Sequence, residues 1–261
     1  MFQMCAASGV GIILWNADLR ATLREDVILQ KVSPISGAMP TENHIAVRRT
    51  ARFYMLGQPG PVIRDVWFVC HGYGQLAGDF VKEFMPIAAD DRLIVAPEAL
   101  SRFYLTTADG FHGADAPVGA TWMTRENRQE EISDYVAYLD ALYDEVFDAV
   151  DRSLTTVTVL GFSQGGATAN RWITSGRACA DRLIMWGSLL ASDADLARAA
   201  TFFRRVELEI VYGTRDKFAD SGVIADYQRV LAANDIPYRL TTFDGGHRMD
   251  RSTLQQLARR A

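Results

Sequence analysis

The 261-residue sequence predicts an α/β protein in which helices cover a mostly parallel central sheet. Three observations point there. Short continuous apolar runs recur along the chain, as in strands buried on both faces. Stretches with apolar residues three and four apart lie between them. Glycine or proline closes most of the runs, so the breaks are well marked. With 49% hydrophobic and 23% charged residues, the chain has a globular composition and enough length to bury a sizeable core.

The first 38 residues read differently from the rest. Arg20, Arg24 and Lys31 balance Asp18, Glu25 and Asp26, so the net charge of −5 belongs to residues 39–261. Ser33 to Pro40 is a Ser/Gly/Pro loop. Residues 1–38 are therefore expected to be an N-terminal extension or arm, and residues 39–261 the main domain. No apolar stretch near the start is long enough to span a bilayer, and no basic residue precedes Val10–Trp15 as in a signal peptide.

Ala51–Leu56 reads as a first strand, with antiparallel pairing allowed. Val66–Cys70 is the first fully apolar run and ends in His71-Gly72-Tyr73-Gly74. Leu93–Ala96 follows, closed by Pro97. The spacing then predicts a long helix over about Glu126–Val150. Its apolar stripe is Ile132, Tyr135, Val136, Leu139, Leu142, Tyr143, Val146, Phe147 and Val150, with acidic residues in the first turns as the helix dipole prefers. Thr156–Leu160, Leu183–Trp186, Leu208–Tyr212 and Tyr238–Phe243 complete the strands. Shorter helices are expected at 164–176, 194–203, 221–234 and 249–260. Strands alternating with helices mean βαβ units.

The strand at Thr156–Leu160 runs into Gly161-Phe162-Ser163-Gln164-Gly165-Gly166, a G-x-S-x-G sequence followed by a helix-compatible run. A serine at the tip of so sharp a strand-to-helix turn has a strained backbone. Its neighbours two before and two after approach each other, and glycine removes the side chains that would collide. The helix also aims its positive end at the serine, where an oxyanion could develop. Ser163 is thus the candidate nucleophile, and it needs a base and an orienting acid.

In strand–elbow–helix sites of this kind the chain order is Ser, acid, His. Of His44, His71, His112 and His247, only His247 follows the elbow. Asp216, just past the strand at Leu208–Tyr212, is the candidate acid. Asp220 and Asp244 are its rivals, and Asp193 and Asp195 weaker ones. The backbone N–H groups of Gln164 and Tyr73 are the candidate oxyanion donors, with the glycines of the 71–74 loop allowing close approach. His71 is expected to hold that loop.

These segments resemble the phospholipase/carboxylesterase family of α/β-hydrolases, which includes small bacterial carboxylesterases and acyl-protein thioesterases. The resemblance rests on His71-Gly-Tyr-Gly74, Gly161-Phe-Ser-Gln-Gly-Gly166, Tyr212-Gly-Thr-Arg-Asp216 and Gly245-Gly-His247. It implies an α/β-hydrolase fold with a small or absent cap. It also implies hydrolysis of carboxylic esters through an acyl-enzyme on Ser163, Asp216 and His247, without metal or organic cofactor. A lysophospholipase or acyl-protein thioesterase is the near alternative. A ligand-binding protein using a hydrolase pocket with little turnover is the distant one. The resemblance further implies that the region before the long helix forms part of the substrate wall. Phe103, Tyr104, Phe111 and Trp122 could line a pocket there or pack in the core. The chain departs from the family at Tyr73, Gln75 and Lys217-Phe218-Ala219.

The expected partner is a small-molecule ester. A pI of about 5.4 gives no electrostatic reason for nucleic acid binding, and the sequence gives no oligomeric state. Cys5, Cys70 and Cys179 form no C-x-x-C pair. That sparse usage suits a reducing compartment, so a cytoplasmic location is expected.

Overall fold

The computed structural model describes residues 39–105, 113–190, 196–219 and 221–260. Two compact units divide the chain at residues 48 and 49. The described part of the first, residues 39–48, is exposed and has no regular secondary structure. The division expected at residue 38 falls inside that unit, most of which lies outside the described residues.

The second unit is built on a seven-stranded sheet. Its strands are β1 (Phe53–Leu56), β2 (Asp65–Cys70), β3 (Arg92–Pro97), β6 (Thr156–Phe162), β7 (Arg182–Trp186), β8 (Glu207–Gly213) and β9 (Arg239–Phe243). They lie in the order β1-β3-β2-β6-β7-β8-β9. Only β1 is antiparallel to its neighbour; every other pair is parallel. The mostly parallel α/β sheet read from the sequence is the observed one. The apolar runs became strands because their side chains are covered on both sides: every residue of β2 and β7 is buried.

Two apolar layers sandwich the sheet. One face carries Phe68, Val157, Val159, Leu183 and Met185 under α2 (Arg128–Phe147), α3 (Gln164–Ser175), α4 (Leu196–Phe203) and α5 (Ser221–Ala233). The other carries Trp67, Leu160, Ile184, Trp186 and Val211 under α6 (Arg251–Ala258) and the segment Ala77–Ile87. That segment begins as one helical turn, α1 (Ala77–Phe80), and continues as 3-10 turns through Ile87. Its helicity had no sequence signature, because its inward residues Phe80, Val81, Phe84 and Ile87 follow a mixed spacing around Pro86.

Two further strands were not expected. β4 (Ser101–Tyr104) and β5 (Val118–Thr121) form an antiparallel pair outside the main sheet. The long helix starts at Arg128 rather than Glu126. Asn127 before it is left-handed (φ 47°), and the Glu131 carboxylate accepts from the Thr124 N–H at 2.6 Å, tying the approach to the first turn. Helix α2 is joined to α3 by Asp140, which accepts from Trp172 Nε1 at 3.0 Å and from the Arg177 N–H at 2.9 Å.

Candidate active site

The site lies at the C-terminal ends of the parallel strands, where open α/β sheets bind ligands. Strand β6 ends at Phe162 and α3 begins at Gln164, so Ser163 alone makes the turn. Its backbone has φ 54° and ψ −121°, a conformation that costs a non-glycine residue about 1–3 kcal/mol. The chain is held there by the Ser163 N–H, which donates to Trp186 O at 2.9 Å, and by the Gly166 N–H on Ser163 O at 2.9 Å. The close approach expected at the flanking glycines is present. A Cβ on Gly161 would fall 2.2 Å from Gly165 O, and one on Gly165 would fall 2.2 Å from Cys70 O.

Asp216 follows β8, and His247 lies between β9 and α6. The His247 Nδ1 and Asp216 Oδ2 are 2.7 Å apart, with the carboxylate side chain 1% exposed and the imidazole 21%. Asp216 Oδ1 accepts from the Phe218 N–H at 2.9 Å, so both carboxylate oxygens are engaged. The His247 ring lies 4.9 Å from the Phe162 ring, beside the residue that precedes Ser163. It lies 4.8 Å, edge to face, from Phe218. Asp244 is brought elsewhere: it pairs with Arg215 at the surface, with its side chain 79% exposed. Asp193, Asp195 and Asp220 lie outside the described residues.

The floor beneath this pair is Gly187, which the sequence marked only as a strand terminator. Its φ is +56°, and a Cβ on it would lie 2.9 Å from His247 Cε1 and 3.4 Å from Asp216 Oδ2. Glycine here admits both the left-handed backbone and the imidazole.

The chain that follows His247 is anchored as well. The N-cap of helix α6, Asp250, lies three residues after His247 and accepts from the Thr253 N–H at 3.1 Å. The Arg248 carbonyl is held by Trp186 Nε1 at 3.0 Å. At the other end of α6, Arg92 Nη2 donates to Ala258 O at 3.0 Å and Arg182 Nη1 to Leu257 O at 2.8 Å. Two cations thus meet the negative end of the helix dipole.

The loop after β2 comes up beside the serine. A Cβ on Gly72 would stand 3.2 Å from Ser163 Cβ. The N–H groups of Gly72, Gly74 and Gln75 donate to Gln75 Oε1, Ala120 O and Gly72 O. The Tyr73 N–H has no partner among the described residues. The Gln164 N–H opens α3, where first-turn donors lack an intrahelical acceptor. Among the described residues, neither expected oxyanion donor has a backbone acceptor.

The Gln164 side chain has a role that sequence reasoning missed. Its Nε2 donates to Met123 O at 2.8 Å and its Oε1 accepts from the Trp122 N–H at 3.1 Å. The elbow is thereby clamped to the segment leaving β5.

His71 is fully buried and holds its loop. It accepts the Ala99 N–H at Nε2 (3.1 Å), which leaves the proton on Nδ1 to donate to Gly72 O at 2.8 Å. Burial lowers its pKa, outweighing the hydrogen bond to Gly72 O and the charge of Glu98. Trp122 packs on this ring at 5.1 Å and donates from Nε1 to His71 O at 2.8 Å. Only 2% exposed, Trp122 belongs to the core behind the loop. Of the other expected wall residues, Phe103 is half-buried with its ring 5.1 Å from Tyr73, and Tyr104 is 50% exposed. Phe111 lies outside the described residues.

Among the described residues no group of three His, Cys, Asp or Glu is placed to hold a metal ion. None of the described helices is long and apolar enough to cross a membrane.

Comparisons with known proteins agree with this architecture. The chain resembles the crystal structure of Zea mays acyl-protein thioesterase 2, with TM-score 0.60 and 14% identity over 80% of this chain and 97% of that one. A carboxylesterase from Mesorhizobium loti gives TM-score 0.54 and 17% identity over 74% of this chain and 88% of that one. The Bacillus cereus carboxylesterase gives 0.53 and 12% over 80% and 92%. At such identities the likeness is one of fold. No curated protein sequence matches the chain. The sequence model of the phospholipase/carboxylesterase family, however, matches residues 62–260, a span that contains every element of the site. The chain therefore belongs to the phospholipase/carboxylesterase family of α/β-hydrolases, and it is a serine hydrolase.

Proposed function

We propose that the protein is a carboxylesterase that hydrolyses small carboxylic esters through an acyl-enzyme on Ser163. The observation that carries this reading is the 2.7 Å contact between His247 Nδ1 and Asp216 Oδ2, with the same imidazole packed against the residue preceding Ser163. A carboxylate on Nδ1 keeps the proton there and leaves Nε2 basic. His247 Nε2 takes the Ser163 proton as Oγ attacks the ester carbonyl. Asp216 stabilises the imidazolium, and the N–H groups of Tyr73 and Gln164 receive the tetrahedral oxyanion. His247 then protonates the leaving alcohol, and water attacks the acyl-enzyme by the same route. The sparse cysteine usage suits a reducing compartment, and action in the cytoplasm is part of this reading.

Labelling with a fluorophosphonate probe and turnover of p-nitrophenyl esters test the reading. Wild type is expected to label and turn over. Ser163→Ala is expected to lose the label and roughly 10³-fold or more of kcat. An acyl series from two to sixteen carbons should peak among the short chains; a peak at long chains would favour a lysophospholipase or acyl-protein thioesterase instead. A wild type that neither labels nor turns over any ester would overturn the assignment.

A further inference from the structure

Phe218 has no role in the chemistry above, yet it touches the residue that does the proton transfer. Its ring lies 4.8 Å from the His247 ring at 66°. Its backbone N–H is fixed on Asp216 Oδ1 at 2.9 Å, so the ring's root is tied to the His–Asp pair. Most large apolar side chains of this domain are buried, but Phe218 is 74% exposed. A ring so exposed beside a buried carboxylate and a half-buried imidazole gains little from the core. What it offers is an apolar surface at the edge of the site.

The reaction fixes which half of the substrate meets that surface. His247 must come within hydrogen-bonding reach of the leaving oxygen in order to protonate it. The leaving group, not the acyl group, therefore passes along the histidine side of the site. An aromatic ring in contact with the imidazole lies within van der Waals reach of atoms bonded to that oxygen.

Resting on the esterase reading, we propose that Phe218 determines specificity for the alcohol half of the ester, selecting flat or apolar leaving groups over polar ones. The acyl half is left to other parts of the site.

The test uses two esters of one acid whose alcohols are similarly acidic, benzyl butyrate and 2-methoxyethyl butyrate. Wild type should favour the benzyl ester in kcat/KM. Phe218→Ala should cut the benzyl-to-methoxyethyl ratio by roughly 3- to 10-fold, the usual worth of an aromatic pair. Phe218→Trp should retain the preference. Any loosening of His247 slows both esters alike and cancels in the ratio. An unchanged ratio, even with both rates reduced, overturns the proposal and leaves Phe218 as a support for the imidazole. Failure of wild type on both esters, with no fluorophosphonate labelling, overturns the esterase reading and the proposal with it.

Discussion

Gly187→Ala offers the sharpest test of how the imidazole is held. Gly187 has φ +56°, and an alanine in a left-handed conformation costs about 1–2 kcal/mol. For a domain of this size that lowers Tm by about 2–8 °C. The added methyl would also stand 2.9 Å from His247 Cε1 and 3.0 Å from Nδ1. Carbon atoms pack at about 3.5–4.0 Å, so the ring must retreat by roughly 0.5–1 Å. Displacement by about 1 Å at a reacting group can cost on the order of 10²-fold in rate. The variant should therefore lose roughly 10- to 100-fold in kcat on p-nitrophenyl butyrate while melting cooperatively a few degrees early. Gly60→Ala is the control: a Cβ there meets nothing within 4 Å, and neither readout should move. A Gly187→Ala enzyme with the lowered Tm but wild-type kcat would refute the reasoning, because the imidazole would then not rest on Gly187.

Other expectations follow from the same geometry. Asp216→Asn should lower kcat by roughly 10³- to 10⁴-fold, as in other triads, whereas Asp244→Asn should leave it within twofold; equal effects would remove Asp216 as the orienting acid. Glu98 is fully buried between Arg52 and Arg102, with contacts of 2.7 and 2.6 Å. Burial alone raises its pKa, but the hydrogen bonds from Arg102 and Arg52 outweigh it and hold the carboxyl below its ordinary value. Stability from this charge is complete above the unfolded carboxyl's pKa and is lost as the pH falls toward the folded one. Urea unfolding should thus show wild type ahead of Glu98→Gln by roughly 1–3 kcal/mol at pH 7. The gap should shrink below about pH 4.5, and a gap that widens there would contradict the assignment.

The strands were legible because burial on both faces leaves an uninterrupted apolar signature, as in Asp65–Cys70 and Arg182–Trp186. The elbow was legible because Gly161 and Gly165 are demanded by backbone contacts that no other residue tolerates. The β4–β5 pair was not, since both strands are only four residues long, β4 alternates between half-buried and exposed, and Gly119 weakens the β-propensity of β5. Trp122 could not be placed from its own identity. Its indole N–H needs an acceptor, and that acceptor, the His71 carbonyl, lies 51 residues away. The Gln164 clamp was hidden for the same reason, since its partners are backbone groups of residues 122 and 123. Gly187 looked like punctuation because the imidazole above it comes from a distant segment of the chain.

The anchoring of α6 has a consequence for how this enzyme fails. His247 rides on a C-terminal unit, β9 and α6, whose one strand pairs with β8 alone. Four of the five residues of β9 are exposed or half-exposed. A unit with one paired edge opens at lower free energy than the central strands. Such an opening removes the base while β6 and the Ser163 elbow stay folded. Arg92 and Arg182, gripping the last carbonyls of α6 at the far end of the sheet, therefore set how often the enzyme is briefly idle. Loss of activity on heating is therefore expected a few degrees before the melting of the sheet, and coincident activity and melting curves would contradict this.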